Sequence, residues 1–311
     1  MKTQFRLFIA ALALLAVSFS SCKKDKDNNS TNTSDYTSEF SAQSEDQVQV
    51  SNDVDEVADD ANNILDEHPS LNGKITNLLC NATVVVDSLS DPKTVTITYN
   101  GTNCRGNRTR SGQVVLSMPL GVHWSDANAV LTVTINNLRI TRIRDGRSIT
   151  ISGVTTYTNV SGGRIRDLAN LGGTITHSIQ SAGITVTFDN NTQRTWQIAK
   201  QRVFSYNNGI VITTTGTHTD GSTTGISEWG TNRFGNAFAT QISAALVVRQ
   251  DCDWRLVSGE VKHDRLVRDI VVTFGLDAQG NPTSCPGTGT FYYKIVWTNT
   301  NGVVRTVILP Y

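Results

Sequence analysis

The chain has 311 residues, with 27 basic and 27 acidic side chains, a formal charge of zero and 7% aromatic residues. That length fits one large β domain or two small ones, and no nucleic-acid-binding signature accompanies the neutral balance, which argues against a nucleic-acid partner. The neutrality hides an asymmetry: residues 28–73 hold eleven acidic side chains and no Lys or Arg, whereas residues 74–311 hold 22 basic and 14 acidic ones, a net of +8 with 17 arginines. An acidic arm of this kind can fold back on the Arg-rich body, or the body can face an anionic glycan or lipid.

Lys2 and Arg6 precede an apolar run of eleven residues, Leu7–Val17, and Ser18–Ser21 are mostly small. The run is too short to cross a bilayer core, which needs about 20 apolar residues, and residues 1–21 have the layout of a secretory signal. Cys22 follows Ser20-Ser21 and precedes Lys23-Lys24-Asp25-Lys26-Asp27. This resembles a bacterial lipoprotein processing site, with Phe19 where Leu is usual, so Cys22 is expected to be the lipidated first residue of the mature chain. Several acyl chains on one residue make a stable anchor, since each buried methylene contributes about 0.8 kcal/mol. The charged run after Cys22 resembles export signals that direct such proteins to the outer face of the outer membrane. Retention on the periplasmic leaflet stays open.

Residues 22–51 are rich in Asn, Ser, Thr and Asp and read as a flexible tether. Val54, Val57, Ala58, Ala61, Ile64 and Leu65 then fall at helical spacing among acidic residues. Ser51 or Asn52 can cap the N-terminus and Pro69 stops the run, so one amphipathic helix is expected over 52–67.

From residue 74 to 311 the pattern changes to period two. Val84-Val85-Val86 and Val95–Tyr99 flank an Asp91-Pro92 turn, and Leu131–Ile135 puts apolar residues on one face and Thr on the other. The apolar set switches face at Leu138 and Ile140, after Asn136-Asn137, which predicts a bulge. Asp145-Gly146 predicts a type I′ hairpin before Ser148–Ile151. Ten further strands follow to Leu309. About fifteen short strands joined by Gly, Asn and Asp turns make the body antiparallel all-β, a sandwich or a curved, partly closed sheet. A membrane barrel would show the same alternation, but the low aromatic content and missing girdles argue against one.

Cys80, Cys104, Cys252 and Cys285 remain after Cys22, an even number that reads as two disulfides with three connectivities; none has C-x-x-C spacing, so no zinc site is expected. Residues 80–118 and 252–297 repeat one layout, Cys, hairpin, Cys, Gly, strand, which favours Cys80–Cys104 and Cys252–Cys285. The lipidation cysteine, the acidic helix, the segment Cys104-Arg105-Gly106-Asn107-Arg108-Thr109-Arg110-Ser111-Gly112 and the pattern Cys252-x-Trp254-x-x-x-Ser258-Gly259 together resemble uncharacterised Bacteroidetes surface lipoproteins. The resemblance implies an exported, lipid-anchored β protein and brings no assigned activity. Leu276–Ser284 is a longer insert than the resemblance leads one to expect.

Arg105, Arg108 and Arg110 on a Gly/Asn-rich loop are candidates for clamping a sulfate, phosphate or uronate, and Arg139, Arg142, Arg144 and Arg147 cluster about another hairpin. Glu228 and Glu260 are the only glutamates after Glu67 and would be the pair for glycoside hydrolysis. His123, His177, His218 and His263 are scattered. Trp124, Trp196, Trp229, Trp254 and Trp297 can stack sugars, although Trp196 and Trp297 share a face with apolar neighbours and read as core. No nucleophile elbow, H-E-x-x-H or P-loop occurs, so no catalytic residue, metal or cofactor is expected. The expectation is a binding or structural envelope module, with an exported glycan hydrolase or a carrier of an apolar ligand as alternatives.

Overall fold

The computed structural model describes residues 57, 60, 61, 64 and 65, then 79–104, 106–264, 270–283, 290–298 and 302–311. The expected signal and tether, with Cys22, and also Arg105 and Cys285, therefore lie outside the described residues. Fifteen strands follow one another: β1 (Ala82–Asp87), β2 (Lys93–Thr102), β3 (Arg108–Met118), β4 (Ala129–Arg142), β5 (Ser148–Asn159), β6 (Ile175–Phe188), β7 (Gln193–Tyr206), β8 (Ile210–Gly216), β9 (His218–Asp220), β10 (Thr223–Thr231), β11 (Ala237–Arg249), β12 (Arg255–Asp264), β13 (Ile270–Leu276), β14 (Tyr292–Thr298) and β15 (Val304–Pro310). The all-β expectation holds. A 3₁₀ turn (Ile165–Asp167) running into a single helical turn (Leu168–Leu171), and a second 3₁₀ turn (Gln250–Cys252), interrupt the strands.

All strands pair antiparallel in one sheet that meanders from β1 to β7 and again from β10 to β15. β7 pairs with β10 through Thr195–Ile198 and with β8 through Lys200–Tyr206. β11 likewise pairs with β10 through Ala237–Gln241 and with β8 through Leu246–Arg249. The two short strands thus lie end to end between two long ones, and β7, β8, β11 and β10 close a small ring.

Alternation explains which face is buried. On β2, Val95, Ile97 and Tyr99 point inward while Thr94, Thr96 and Thr98 point outward. The same division continues through β7, and Val57, Ala61, Ile64 and Leu65 of the helical segment join the inward residues in one apolar core. These helical positions recur at the spacing read from the sequence, so the stripe packs on the sheet as expected. A second core, built on Ile242, Val261, Val272, Phe274, Tyr293 and Ile295, serves β11 to β14. A third, with Phe204, Ile212 and Trp254, fills in under the helical turn. No helix among the described residues is long and apolar enough to cross a membrane.

The bulge expected at Asn136-Asn137 is present: β4 skips register there against both β3 and β5. Asn137 has φ of 48°, and its carbonyl oxygen would lie 2.4 Å from a Cβ added to Gly112 on β3. Only glycine lets the two backbones approach this closely. The hairpin at Asp145-Gly146 differs from the expected turn. Gly146 alone has positive φ, so a five-residue connection, 143–147, replaces the type I′ turn, which needs two such residues. Asp145 accepts the Arg147 amide at 3.2 Å and Arg142 at 2.9 Å, bonds that stabilise the longer loop.

Cys80 and Cys104 form a disulfide with Cα atoms 5.2 Å apart, closing the β1–β2 hairpin as the repeat layout suggests. Cys252 is also disulfide-bonded.

Candidate functional site

The strand directions bring one set of connections to one end of the sheet, among them those after β2, β4, β6, β10 and β14. Five of the arginines singled out in the sequence, Arg108, Arg139, Arg142, Arg144 and Arg147, collect here. Arg108 opens β3 directly opposite Arg142 at the end of β4. Arg139 Nη2 donates to Ser148 Oγ at 2.9 Å, Arg142 and Arg144 both lie within 4 Å of Asp145, and the Arg144 side chain is four-fifths exposed. Asp189 accepts both the backbone amide (2.7 Å) and the hydroxyl of Ser148. The Ser148 hydroxyl and amide hold the Asp189 carboxyl below its usual range against slight desolvation, with Arg139 and Arg147 adding to them. Some desolvation pushes Asp145 up, but the Arg147 amide and three neighbouring guanidinium groups lower it overall. Both carboxylates are therefore ionised at neutral pH. Four arginines (139, 142, 144 and 147) face these two among the described residues of the hairpin. Arg233, from the connection after β10, lies 3.9 Å over the Phe188 ring at the same end.

Arg110 departs from the sequence expectation. Its spacing groups it with Arg105 and Arg108 as a clamp on a solvated loop, but it is 3% exposed and points into the core. Its Nη1 meets Asp60 Oδ2 at 2.8 Å, its Nη2 donates to Asn81 Oδ1 at 2.7 Å, and the guanidinium stacks 4.3 Å over Tyr99. Tyr99 donates its hydroxyl to the same Asp60 oxygen at 2.7 Å. The reason is register: on the inward face of β3, residue 110 falls opposite Ile140. Arg110 ties the helical segment to the sheet and leaves no guanidinium for a ligand.

A second polar cluster was not legible in the sequence. Glu228, Thr240 and His263 stand in one row across β10, β11 and β12 on the buried face. Lys200 pairs with Glu228, which is 3% exposed, and His263 Nδ1 lies 3.1 Å from Thr240 Oγ1. Burial pushes His263 down to about 4, Glu228 opposing and Arg194 adding to the effect. Arg194 itself is buried 4.4 Å over Phe238. The row lies between the first core, which ends at Trp196, Ile198 and Phe238, and the second, which begins at Ile242 and Val261. It is a polar seam. Residues separated by up to 63 positions meet there only through strand pairing, so spacing carried no signal.

The glutamate pair is not assembled. Glu228 shares a face with His263, whereas Glu260, an odd number of residues from His263 in an unbroken register with β13, points to the opposite face. Glu260 instead accepts Ser243 Oγ at 2.8 Å and Thr273 Oγ1 at 3.1 Å. Two carboxylates on opposite faces cannot flank one glycosidic bond.

The histidines stay apart. His123 lies 3.6 Å from Asp126 on the surface. His177 is buried between Trp124 and Phe204, with ring centroids 5.1 and 4.8 Å away. His218 stacks on Trp229 at 3.9 Å on the outward face. Trp196 and Trp254 are buried as core residues. Among the described residues no three His, Cys, Asp or Glu side chains converge to hold a metal.

No family model matches the chain, and neither a curated protein nor a solved structure matches it significantly.

Proposed function

We propose that this chain is a Bacteroidetes-type lipoprotein, anchored through Cys22 to the outer membrane and facing the cell surface, whose β body is a non-catalytic binding module for an anionic envelope component such as an acidic glycan. The observation that carries this reading is the set of arginines gathered at one end of the sheet, with Arg139, Arg144 and Arg147 exposed beside the carboxylates of Asp145 and Asp189. Guanidinium groups on short, hydrogen-bonded loops suit sulfate, phosphate or uronate recognition. The hydrolase alternative loses its carboxylate pair to the opposite faces of the sheet, and the apolar faces are filled by the protein's own cores rather than by a carried ligand.

Binding of a sulfated polysaccharide to the full chain tests the anionic reading. Replacing Arg139, Arg144 and Arg147 together by Ala should weaken it about tenfold at low salt, taking roughly 0.5 kcal/mol for each exposed charge. Equal binding by both proteins would exclude this end as the site. Arg110 must be left intact, because its loss would unfold rather than unbind. Labelling with a fatty-acid probe, with Cys22→Ala as control, tests the anchor.

A further inference from the structure

The arginine end also carries exposed apolar side chains, and each is flanked by arginine. Ile143, 52% exposed, stands between Arg142 and Arg144; Phe234, 54% exposed, follows Arg233; Val303 and Val304, the latter 63% exposed, precede Arg305. The connections that hold them, after β4, β10 and β14, all open at this end of the sheet. The opposite end has apolar tips of similar or greater exposure, at Leu89, Leu120 and Leu171, but their loops and flanking strand ends carry Asp87, Asp91, Asp126 and Asp167 against Lys93, Arg164 and Arg166. The two ends differ in charge, not in greasiness.

An apolar tip beside a guanidinium suits one environment in particular. At an anionic lipid surface the hydrocarbon leaves water at the acyl boundary, while the guanidinium remains among phosphates. The tips are single side chains on separate loops, with neighbouring strands about 4.8 Å apart, rather than one continuous patch. A fluid bilayer accommodates such tips one by one, whereas a folded partner needs contiguous complementary area.

The course of the chain points the same way. Asp60 is held by Arg110, the third residue of β3 counted from this end. Val57, three positions before Asp60 in the same helical segment, lies within about 4.5 Å of it along the axis. Only 34 residues separate Cys22 from Val57. An anchor that close in sequence keeps this end at high local concentration beside the headgroups, where weak contacts suffice.

We propose that the arginine end docks on the anionic lipid surface to which the chain is anchored, with Ile143, Phe234 and Val304 entering the interface and Arg142, Arg144, Arg233 and Arg305 meeting headgroup phosphates. This rests on the anion-binding, lipid-anchored reading above and names the lipid surface as its ligand.

Full-length protein carrying Phe234→Trp, compared with Leu171→Trp at the opposite end and with the unsubstituted chain, is mixed with vesicles of brominated phosphatidylcholine, with and without phosphatidylglycerol. The added emission at position 234 should be quenched severalfold more than that at 171, only when phosphatidylglycerol is present. High salt, or Arg142, Arg144 and Arg233 all replaced by Gln, should abolish the difference. Equal quenching at the two positions, or quenching indifferent to phosphatidylglycerol, overturns the docking. Capture of a soluble sulfated polysaccharide without quenching at 234 also overturns it, while leaving the glycan reading intact. A full-length chain that takes up no fatty-acid label yet is quenched at 234 sinks the anchor reading and keeps the docking.

Discussion

Arg110 and His177 are polar side chains placed inside by strand register. Arg110 is accommodated there because Asp60, Asn81 and the Tyr99 ring all address its guanidinium. Removing one partner of such a buried pair typically costs about 3–5 kcal/mol, far more than an exposed pair contributes. His177 is accommodated differently, as a neutral ring. Burial, aided by the nearby Arg202 charge, pushes its pKa down to about 4 from the ordinary 6.5. The unfolded chain therefore takes up a proton as pH falls through 6.5, and the folded protein does so only near 4. The stability contributed by the neutral ring is complete above pH 6.5 and is lost between 6.5 and 4, on the order of 3 kcal/mol. His177→Phe keeps a ring between Trp124 and Phe204 that cannot protonate. Urea unfolding at pH 7 and pH 4.5 should show a smaller loss of stability in this variant than in the parent chain. An identical loss in both would mean that His177 is not the group titrating.

At the scale of strands, the β3–β4–β5 region shows how a bulge and a glycine are matched. Asn137 adds a residue to β4, and Gly112 faces it with φ of 119° and no room for a side chain. Gly112→Ala should destabilise by about 1–3 kcal/mol through overpacking against the Asn137 carbonyl. Gly183, exposed and with nothing within 4 Å of an added Cβ, is the control. Gly183→Ala should change stability by less than about 0.5 kcal/mol. Denaturant midpoints measure both, and equal shifts would rule out the close approach at Gly112 as the cause. The bulge itself was legible, because an apolar set can change face at Leu138 within one strand only if an extra residue is inserted before it. The connection at 143–147 was not, because Asp-Gly also serves longer loops, and the Arg142–Asp145 ion pair that selects one is a contact across the turn.

For the molecule as a whole, the described residues of the helical segment and the β body share one core. Val57, Ala61, Ile64 and Leu65 share a core with β2 to β7, and Asp60 is the partner of a buried arginine. A chain beginning at Lys74 should therefore lose solubility or expose apolar surface, while one beginning at Ser51 should melt like the full-length protein. Dye binding and thermal melting of the two truncations check this, and a shorter chain with an unchanged melting temperature would show the helix to be dispensable. The seam of Lys200, Glu228, Thr240 and His263 marks where the meander from β1 to β7 hands over to that from β10 to β15. The arginine end and the acidic end give the assembled sheet a charge axis, although the chain as a whole is neutral.

The amino-acid order was sufficient for whatever depends on neighbours two to four residues apart. Strand alternation, the apolar stripe of the helix and the bulge after Ile135 all follow from local spacing, and the hairpin layout favoured the Cys80–Cys104 closure among three connectivities without deciding it. Tertiary pairing alone decided which charges went inside and which met. Asp60 and Arg110 are 50 residues apart, Glu228 and His263 lie on different strands, and Glu228 and Glu260 point to opposite faces. A side chain's burial depends on the face its strand turns inward and on what lies opposite, and both are set by long-range register that no window of sequence contains.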